Sequence, residues 1–525
     1  MRKTDGPQAD DAHGAAPRRN HGFSTTSPWS WHRRATAYAR SFGIRALSSL
    51  AYHVEQLVSP ASSHARRVLT EVYRTILCRD PDPSEYAHHL EQLLTGELSM
   101  ERVRAVLEDS DEHRLLVEPL AAEVSNAYTL FLFREPTQEE VTYHISRFRN
   151  RFPTWTQARA VVSAGAARTY LGIRPFNIEM DITNQCNLRC VMCYFSDDRI
   201  HQRRREDLAP QDFARIAEQL FPLAHRVSLS IATEPLIHRH FPEFLAIAKQ
   251  YEIPKLYINT NGLLLNHALI EDMIRGNLHA IGISLDAATK ATYERIRVGS
   301  TFEKVISNIQ AINRAKRRMD SPIPRVTLNF VMMRANIQEL PAFIRLAHDL
   351  EVHGVNAVHV VPYAAAANES ESLVKDRVLA NRILDEARAL AAQYSILFCA
   401  PRNFGEPVAG VAHEESSSPR YDVNRGFDLN LAVKAGDARP QCCPFPWHFV
   451  GIDSSGRVVP CGWWYQERPM GNIKERAFED IWSSEPYRTL RREHLEGRLR
   501  STCQSCPAAG VGDVDDPNAF AAKVP

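Results

Sequence analysis

The chain has 525 residues and a formal net charge of +1, and 44% of its residues are hydrophobic and 24% charged. This is ordinary globular composition with room for two to four domains, and the balanced charge gives no reason to expect nucleic acid or an anionic membrane as a partner. No run reaches the roughly 18 apolar residues that span a bilayer, and residues 1–34 lack the apolar core of a signal peptide. We therefore predict a cytoplasmic protein without a transmembrane segment.

The first part of the chain divides into a polar lead-in and a helical region. Residues 1–35 mix charged, polar, Gly and Pro residues without periodicity, which predicts disorder. From 35 to 58 apolar residues recur at helical spacing, with Arg40 and Arg45 among them. This pattern favours a helix that packs on the following helices, and a helix lying on a membrane surface is the alternative. We predict one helical domain over residues 36–172.

Residues 69–171 contain an internal repeat, which becomes visible when the chain is moved by 55 positions against itself. The matched pairs are Tyr73 with Tyr128, Leu77 with Leu132, Arg79-Asp80-Pro81 with Arg134-Glu135-Pro136, Glu85 with Glu140, His89 with His144, Leu90 with Ile145, and Val106 with Val161. Each copy predicts three helices, of which the first ends at the Arg-acid-Pro turn. The first copy resembles a bacterial helical domain of unknown function, and we interpret the repeats as a scaffold or docking module.

Short β-rich runs alternate with amphipathic helical patterns from Phe176 onward. The predicted strands are Asn177–Ile182, Arg226–Ile231, Lys255–Asn259, Ala280–Leu285, Val326–Met332 and Val355–Val361, and the helices between them include Pro210–Leu220, Phe241–Gln250, Thr301–Arg317 and Ile337–Asp349. Repeated strand–helix order predicts a parallel sheet with right-handed crossovers. Six such units over residues 173–398 fit an α/β fold, a partial (β/α)6 TIM-like barrel, whose functional residues lie at the carboxyl ends of the strands.

Three cysteines follow the first predicted strand directly. Cys186, Cys190 and Cys193 lie within one short stretch, and the next histidine is His201. A structural zinc site needs four protein ligands, and this stretch supplies three. Three thiolates on a four-iron cluster leave one iron without a protein ligand, so that a small molecule can bind there and be reduced through the cluster.

The Cys-x-x-x-Cys-x-x-Cys spacing resembles that of the radical S-adenosylmethionine (radical SAM) enzymes, whose motif is matched in full. The resemblance implies a 4Fe-4S cluster and reductive cleavage of S-adenosylmethionine to methionine and a 5'-deoxyadenosyl radical, which takes a hydrogen atom from the substrate. It also implies a reducing partner such as flavodoxin or ferredoxin.

The turns after the next strands resemble the cofactor-binding turns of the same family. Residues 232–235 read Ala-Thr-Glu-Pro where the family usually has Gly-Gly-Glu-Pro, and residues 259–262 read Asn-Thr-Asn-Gly. The resemblance implies that the carboxylate of the first turn binds the methionyl amine, although Ala and Thr narrow the allowed backbone there. Helix-start and turn roles are the alternative. The implied cofactor-binding residues are Glu234, Thr260, Asn261, Ser284 and Asp286.

The C-terminal part of the chain carries a second group of thiols. Residues 399–437 predict a linker or a lid over the barrel mouth, and residues 511–525 a tail. Between them, residues 438–510 contain Cys443, Cys461, Cys503 and Cys506 and resemble the shortened SPASM-type extension of radical SAM enzymes. The resemblance implies an auxiliary 4Fe-4S cluster for electron transfer; zinc is the alternative. Cys442 and Cys443 are alternatives for one ligand.

Together these resemblances imply a radical SAM oxidoreductase that dehydrogenates a small sugar-like or cyclitol-like metabolite. Cross-linking or epimerisation of a ribosomal peptide is the first alternative, and an iron–sulfur protein that serves only binding or assembly is the second. A zinc-stapled helical scaffold is the third. The general base is open, with Tyr363, His359, His448 and Trp447 as candidates by position.

Overall fold

The computed structural model of the chain describes residues 60–360, 370–401, 403–404, 443, 445–464 and 467–504. The chain divides into two compact units, of which the first ends at His113 and the second begins at Arg114. The predictions for residues 1–59, for most of the linker, for Tyr363, Cys442 and Cys506, and for the tail lie outside the described residues. None of the described helices is both long and apolar enough to cross a membrane.

The first unit is helical in its described part. Its helices are α1 (Pro60–Ile76), α2 (Pro83–Thr95) and α3 (Met100–Glu108). Helix α2 begins at a capping box, in which Asp82 accepts from the backbone of Glu85 and the Glu85 side chain reaches back to Asp82. This exchange satisfies backbone donors that a helix start leaves without partners. Leu90 and Val103 are buried in the core of the unit.

The second unit begins with the helices of the second repeat copy. These are α4 (Glu118–Ala127), a π-helical turn (Tyr128–Leu132), α5 (Gln138–Arg151), α6 (Trp155–Ser163) and α7 (Ala167–Leu171). Each copy holds a Tyr hydroxyl against a His ring and an Arg against a Glu carboxylate. The pairs are Tyr73–His89 at 2.8 Å, Tyr128–His144 at 3.0 Å, Arg79–Glu85 at 2.8 Å and Arg134–Glu140 at 2.6 Å. The predicted helical character of this region is confirmed.

A parallel sheet with helical crossovers follows, which confirms the predicted α/β fold. Its strands are β1 (Phe176–Met180), β2 (Ala224–Ser228), β3 (Lys255–Thr260), β4 (Ala280–Ser284), β5 (Arg325–Met332), β6 (Gly354–His359) and β7 (Leu397–Cys399). The helices are α8 (Asp198–His201), α9 (Pro210–Leu220), α10 (Phe241–Lys249), α11 (His267–Arg275), α12 (Lys290–Ile296), α13 (Phe302–Arg318), α14 (Leu340–Asp349) and α15 (Arg377–Gln393).

All six predicted strands are present with ends shifted by up to three residues, and one strand of this region was not predicted. Strand β2 ends three residues before the predicted Ile231, because the Ile231 backbone N–H donates to the Asp181 carboxylate at 2.9 Å and leaves the ladder. Strand β7 was not predicted. It pairs with β6 in parallel and follows α15, so the structure continues the strand–helix order by one unit.

The C-terminal region joins the same sheet. Its elements are α16 (Phe445–His448), β8 (Phe449–Ile452), β9 (Arg457–Val459), β10 (Gly471–Asn472), α17 (Phe478–Trp482), α18 (Glu485–Leu495) and α19 (Ser501–Gln504). Strand β8 pairs in parallel with β1, and the sheet runs β10-β9-β8-β1 and then in sequence to β7. The C-terminal thiols are thereby fixed to the same sheet as the first three.

Candidate functional site

A cavity of about 1750 Å³ lies over the carboxyl ends of the strands and continues along the inner face of the sheet. Its wall carries both groups of described thiols: Cys186, Cys190, Cys193, Cys443, Cys461 and Cys503. A parallel barrel places its functional residues at this end of the strands. Both groups of thiols therefore face one common space.

The first three thiols lie in a loop that is fixed by its backbone. Arg189 N–H donates to the carbonyl of Val298 at 3.0 Å, and Val191 N–H donates to that of Ile296 at 2.9 Å. Cys190 is buried in an apolar cluster with Leu188, Met192, Ile296, Met333 and Val360, and Cys186 and Cys193 pack against this cluster. The loop therefore presents three thiols to the cavity from an apolar wall.

Burial governs the protonation of these thiols. It raises the pKa of Cys186 to about 12 and that of Cys190 to about 11, and it also raises the pKa of Cys193. Without a metal all three are neutral at pH 7, and metal binding would replace their protons. Soft sulfur donors in an apolar surround fit an iron–sulfur cluster. In the described residues no three His, Cys, Asp or Glu side chains are grouped to hold a single metal ion.

A buried arginine stands behind the loop. The Arg297 guanidinium pairs with the Asp286 carboxylate at 2.6 Å and donates to the Cys190 sulfur at 3.7 Å. The other Asp286 oxygen accepts from the backbone of Val331 at 2.6 Å. Asp286 is fully buried, and it is Arg297 that lines the cavity. The predicted residue Asp286 therefore reaches the site through Arg297.

The Glu234 carboxylate is held by the turn that follows β3. One oxygen accepts from the Thr260 hydroxyl at 2.7 Å and from the Leu236 backbone at 3.1 Å, and the other accepts from the Asn261 backbone at 2.7 Å. Burial nevertheless raises the pKa of Glu234 to about 7. Glu234, Thr260, Asn261 and Ser284 all line the cavity, so the structure brings four of the five predicted cofactor residues to one wall.

Asp181 holds the turn in which Ala232 and Thr233 stand at the positions of the family's two glycines. Its carboxylate accepts from the backbones of Ile231 and Ala232 at 2.9 and 3.2 Å and from the Thr233 hydroxyl at 2.7 Å. The Tyr194 hydroxyl donates to the Ala232 carbonyl at 3.0 Å. Thr233 therefore supplies a bond that glycine cannot make, and the turn keeps Glu234 in the cavity wall despite its bulkier residues.

The C-terminal thiols come from three separate segments. Cys443 precedes α16, Cys461 follows β9, and Cys503 lies in α19. The Cys503 sulfur is 3.6 Å from Nε2 of His494, whose side chain is buried. All three thiols line the cavity, and sulfur is the ligand that an iron–sulfur cluster takes.

Three residues of the site were missed from the sequence. Arg297 lies in the Tyr-Glu-Arg-Ile-Arg stretch at 293–297, which is a usable signal. Asp181 directly follows β1, where a polar residue favours a site. His494 has no local signal because its position depends on helix packing. Of the candidate bases, His359 and His448 line the cavity, whereas Trp447 does not.

Comparisons with known proteins agree with this geometry. The radical SAM superfamily model matches residues 180–347, and the iron–sulfur cluster-binding SPASM model matches residues 442–507. The AdoMet-dependent heme synthase of Methanosarcina barkeri is 23% identical over 355 residues, which are 65% of this chain and 94% of the relative. The PqqA peptide cyclase of Gluconobacter oxydans is 25% identical over 340 residues, which are 63% of this chain and 82% of the relative.

One solved structure among the similar ones is that of Streptococcus suis SuiB. It is 15% identical with a TM-score of 0.48 and is matched over 81% of this chain and 86% of its own. The two domain matches confirm the predicted family and its predicted cofactor classes, iron–sulfur clusters and S-adenosylmethionine. The chain thus carries a radical SAM domain over residues 180–347 and a C-terminal SPASM domain over residues 442–507.

Proposed function

We propose that the protein is an oxidoreductase that removes a hydrogen atom from a peptide substrate inside the cavity between its two groups of thiols. The observation that carries the proposal is that Cys186, Cys190 and Cys193 share one cavity wall with Glu234 and its turn. The name of the Gluconobacter relative, a peptide cyclase, favours a peptide. The sugar-like substrate that the sequence predicted finds no support in the names of the two relatives above, and it stays a prediction.

The thiols divide between two cofactors in this proposal. Cys186, Cys190 and Cys193 would hold the cluster that binds S-adenosylmethionine, and Cys461 and Cys503, together with Cys443 or Cys442 and with Cys506, would hold the auxiliary cluster. When bound, these groups supply reductive cleavage of S-adenosylmethionine to a 5'-deoxyadenosyl radical and an acceptor for the electron that the substrate loses.

The turn residues orient the cofactor. Near pH 7 the Glu234 carboxyl is poised between its two protonation states, and an approaching ammonium group favours the charged form. Thr260 and Asn261 keep the carboxylate in place by their hydrogen bonds. The Ser284 hydroxyl on the same wall can donate to a ribose or carboxylate oxygen of the nucleotide.

Completion of an oxidation requires a proton acceptor beside the substrate. His359 and His448 line the cavity, and either can accept this proton. The apolar residues around Cys190 exclude water from the loop, which protects a reactive intermediate from side reactions.

The test is anaerobic reconstitution of the full chain with iron and sulfide, reduction with dithionite, and measurement of 5'-deoxyadenosine formed from S-adenosylmethionine. The proposal expects 5'-deoxyadenosine, and more of it when a peptide substrate is present. Clusters that form without any cleavage would favour the binding or assembly role. Zinc in place of iron at the C-terminal thiols would favour the third alternative, a helical scaffold stapled by zinc.

A further inference from the structure

The inner face of the sheet is polar along several adjacent strands. Parallel strands with both faces buried usually read as continuous apolar runs, but here β5 alternates buried and half-exposed residues along its length. The outward positions are apolar, for example Ile178 and Ile258, which are fully buried. Most inward residues on the cavity wall are polar: Asn177, Glu179, Arg226, Asn259, Ser284 and Asn356, with Val331 and Val358 as apolar ones. A TIM barrel packs apolar side chains in this space, so the polar lining indicates a binding recess.

Three carboxamides form a hydrogen-bonded row across this recess. Asn356 donates to the Asn329 oxygen at 3.4 Å, and Asn329 donates to the Asn259 oxygen at 3.1 Å. The row uses neither the Asn356 oxygen nor the Asn259 amide nitrogen, and both of these side chains face the cavity. It therefore ends in an acceptor on one side and in a donor on the other.

Gly282 makes room for this row. A Cβ atom at this position would lie 2.3 Å from the Asn259 oxygen and 2.9 Å from the Asn329 nitrogen. The glycine stands between Asn259 and Thr327 in the sheet register. Any larger residue would push the amides apart, so the row depends on a glycine in the middle of a strand, where glycine otherwise weakens the sheet.

The charges in the recess compensate each other. Arg226 pairs with Glu179 at 2.7 Å, and the Tyr257 hydroxyl donates to the same carboxylate at 2.9 Å. The Arg226 guanidinium also lies 4.9 Å from the centre of the Tyr257 ring. This part of the wall therefore carries no net charge to attract a phosphate or a carboxylate, and it favours a neutral group with both a donor and an acceptor.

We propose that the carboxamide row is a substrate subsite that binds amide groups of a peptide, from the backbone or from a side-chain carboxamide. The Asn259 end can donate to a peptide carbonyl and the Asn356 end can accept from a peptide N–H. Because these ends lie on β3 and β6, they would contact two different amide groups of one peptide segment. The cavity of about 1750 Å³ is larger than the about 300–1,000 Å³ of most small-molecule sites, which favours a substrate segment that shares the space with the cofactor. This inference rests on the proposed function, in which substrate and cofactor share the cavity.

The test measures binding of capped tripeptides of the form acetyl-Gly-Xaa-Gly-amide to the anaerobically reconstituted full chain with S-adenosylmethionine, by saturation-transfer NMR. Myo-inositol and glucosamine serve as polyol probes. We expect capped tripeptides to bind in preference to both polyols. Asn329→Leu and Gly282→Ala should each weaken tripeptide binding by about tenfold, because each leaves amide groups of the recess without partners.

Asn313→Ala is the matched control. Asn313 is also a buried amide, but it donates to the Leu350 carbonyl outside the cavity, so its loss should leave tripeptide binding unchanged. The inference is overturned if the polyols bind better than the tripeptides, if no tripeptide binds, or if the recess variants bind as the wild type does. Cleavage of S-adenosylmethionine is read separately as 5'-deoxyadenosine. Its absence with peptide binding intact overturns the proposed enzyme activity, and the opposite result overturns only the subsite.

Discussion

The two groups of thiols on the cavity wall are built in different ways. Cys186, Cys190 and Cys193 belong to one loop that is pinned by backbone hydrogen bonds to Ile296 and Val298. The C-terminal thiols lie in three segments that are placed on the cavity wall by the pairing of β8 with β1 and by the packing around α18. The first site is therefore encoded by local spacing, whereas the second depends on the tertiary fold.

The two groups of thiols would also contribute differently to the proposed function. A loop that is closed locally can keep its geometry when the surrounding chain changes. The geometry of a site assembled from distant segments depends on the sheet. Here it depends on the pairing of β8 with β1, and β1 leads into the first loop. We therefore expect loss of the first site to remove the chemistry and loss of the second to change only how the reaction is completed.

The largest expected effect is that of Cys190→Ala. The substitution removes a ligand from the site that would bind S-adenosylmethionine, so 5'-deoxyadenosine formation should fall to the background level. Iron and sulfide analysis should show loss from the first site with the C-terminal site retained. Cys78→Ala, which changes a buried thiol of the helical first unit, is the control and should keep both activity and iron. Full turnover by Cys190→Ala would contradict the assignment of the first site.

Cys461→Ala tests the role of the C-terminal thiols. It should lower the iron content and abolish oxidation of the substrate, while substrate-free cleavage of S-adenosylmethionine continues near the wild-type rate. The measurement pairs iron analysis with 5'-deoxyadenosine formation in the same sample. If cleavage is lost together with the C-terminal iron, the two sites do not act separately, and the expected difference between them is wrong.

Sequence patterns predicted the local parts of this molecule and missed the nonlocal ones. Helix α9 has both of its predicted ends, Pro210 and Leu220, because an apolar stripe and a proline at the start define it locally. Strand β8 has four residues and is defined by its pairing with β1, far away in the sequence. Such a short apolar run could not be distinguished from a turn of helix before its partner was known.

The same distinction applies to the site. The spacing of the first three thiols identifies them, since the loop itself holds them together. The function of Asp286 was harder to predict, because its carboxylate pairs with Arg297 and the pairing depends on how the chain folds back after β4. Similarly, Ala232 and Thr233 narrow the allowed backbone before Glu234, and the sequence did not show that the Asp181 carboxylate, which follows β1, supports this turn.

Arg297→Met should strongly destabilise the protein through the buried ion pair. Asp286 has no exposed side-chain surface and would be left without its partner, and breaking such a pair costs about 3–5 kcal/mol. Urea unfolding of the apoprotein measures the change, and the double variant Asp286→Asn/Arg297→Met should recover part of it. Arg317→Met, which removes an exposed pair with Glu351, is the matched control and should change stability little. Equal losses in the two single variants would show that burial does not decide the effect.

The smallest expected effect concerns the pH dependence of the apoprotein. Burial raises the pKa of Glu234 from 4.5 to about 7, so the folded chain keeps this proton to higher pH than the unfolded chain does. The stability that Glu234 contributes is fully present below pH 4.5 and is lost as the pH rises through about 7. The loss amounts to at most about 3 kcal/mol.

Urea unfolding of the wild type and of Glu234→Gln at pH 5 and pH 8 isolates this contribution, because all other titrating groups are common to both proteins. The wild type should lose more stability than the variant between the two pH values. In the protein with reconstituted clusters, added S-adenosylmethionine should reduce the difference, since its ammonium group favours the Glu234 carboxylate and lowers the pKa of that side chain. An unchanged difference in the presence of the cofactor would separate Glu234 from the cofactor site, and the turn after β2 would then serve the fold alone.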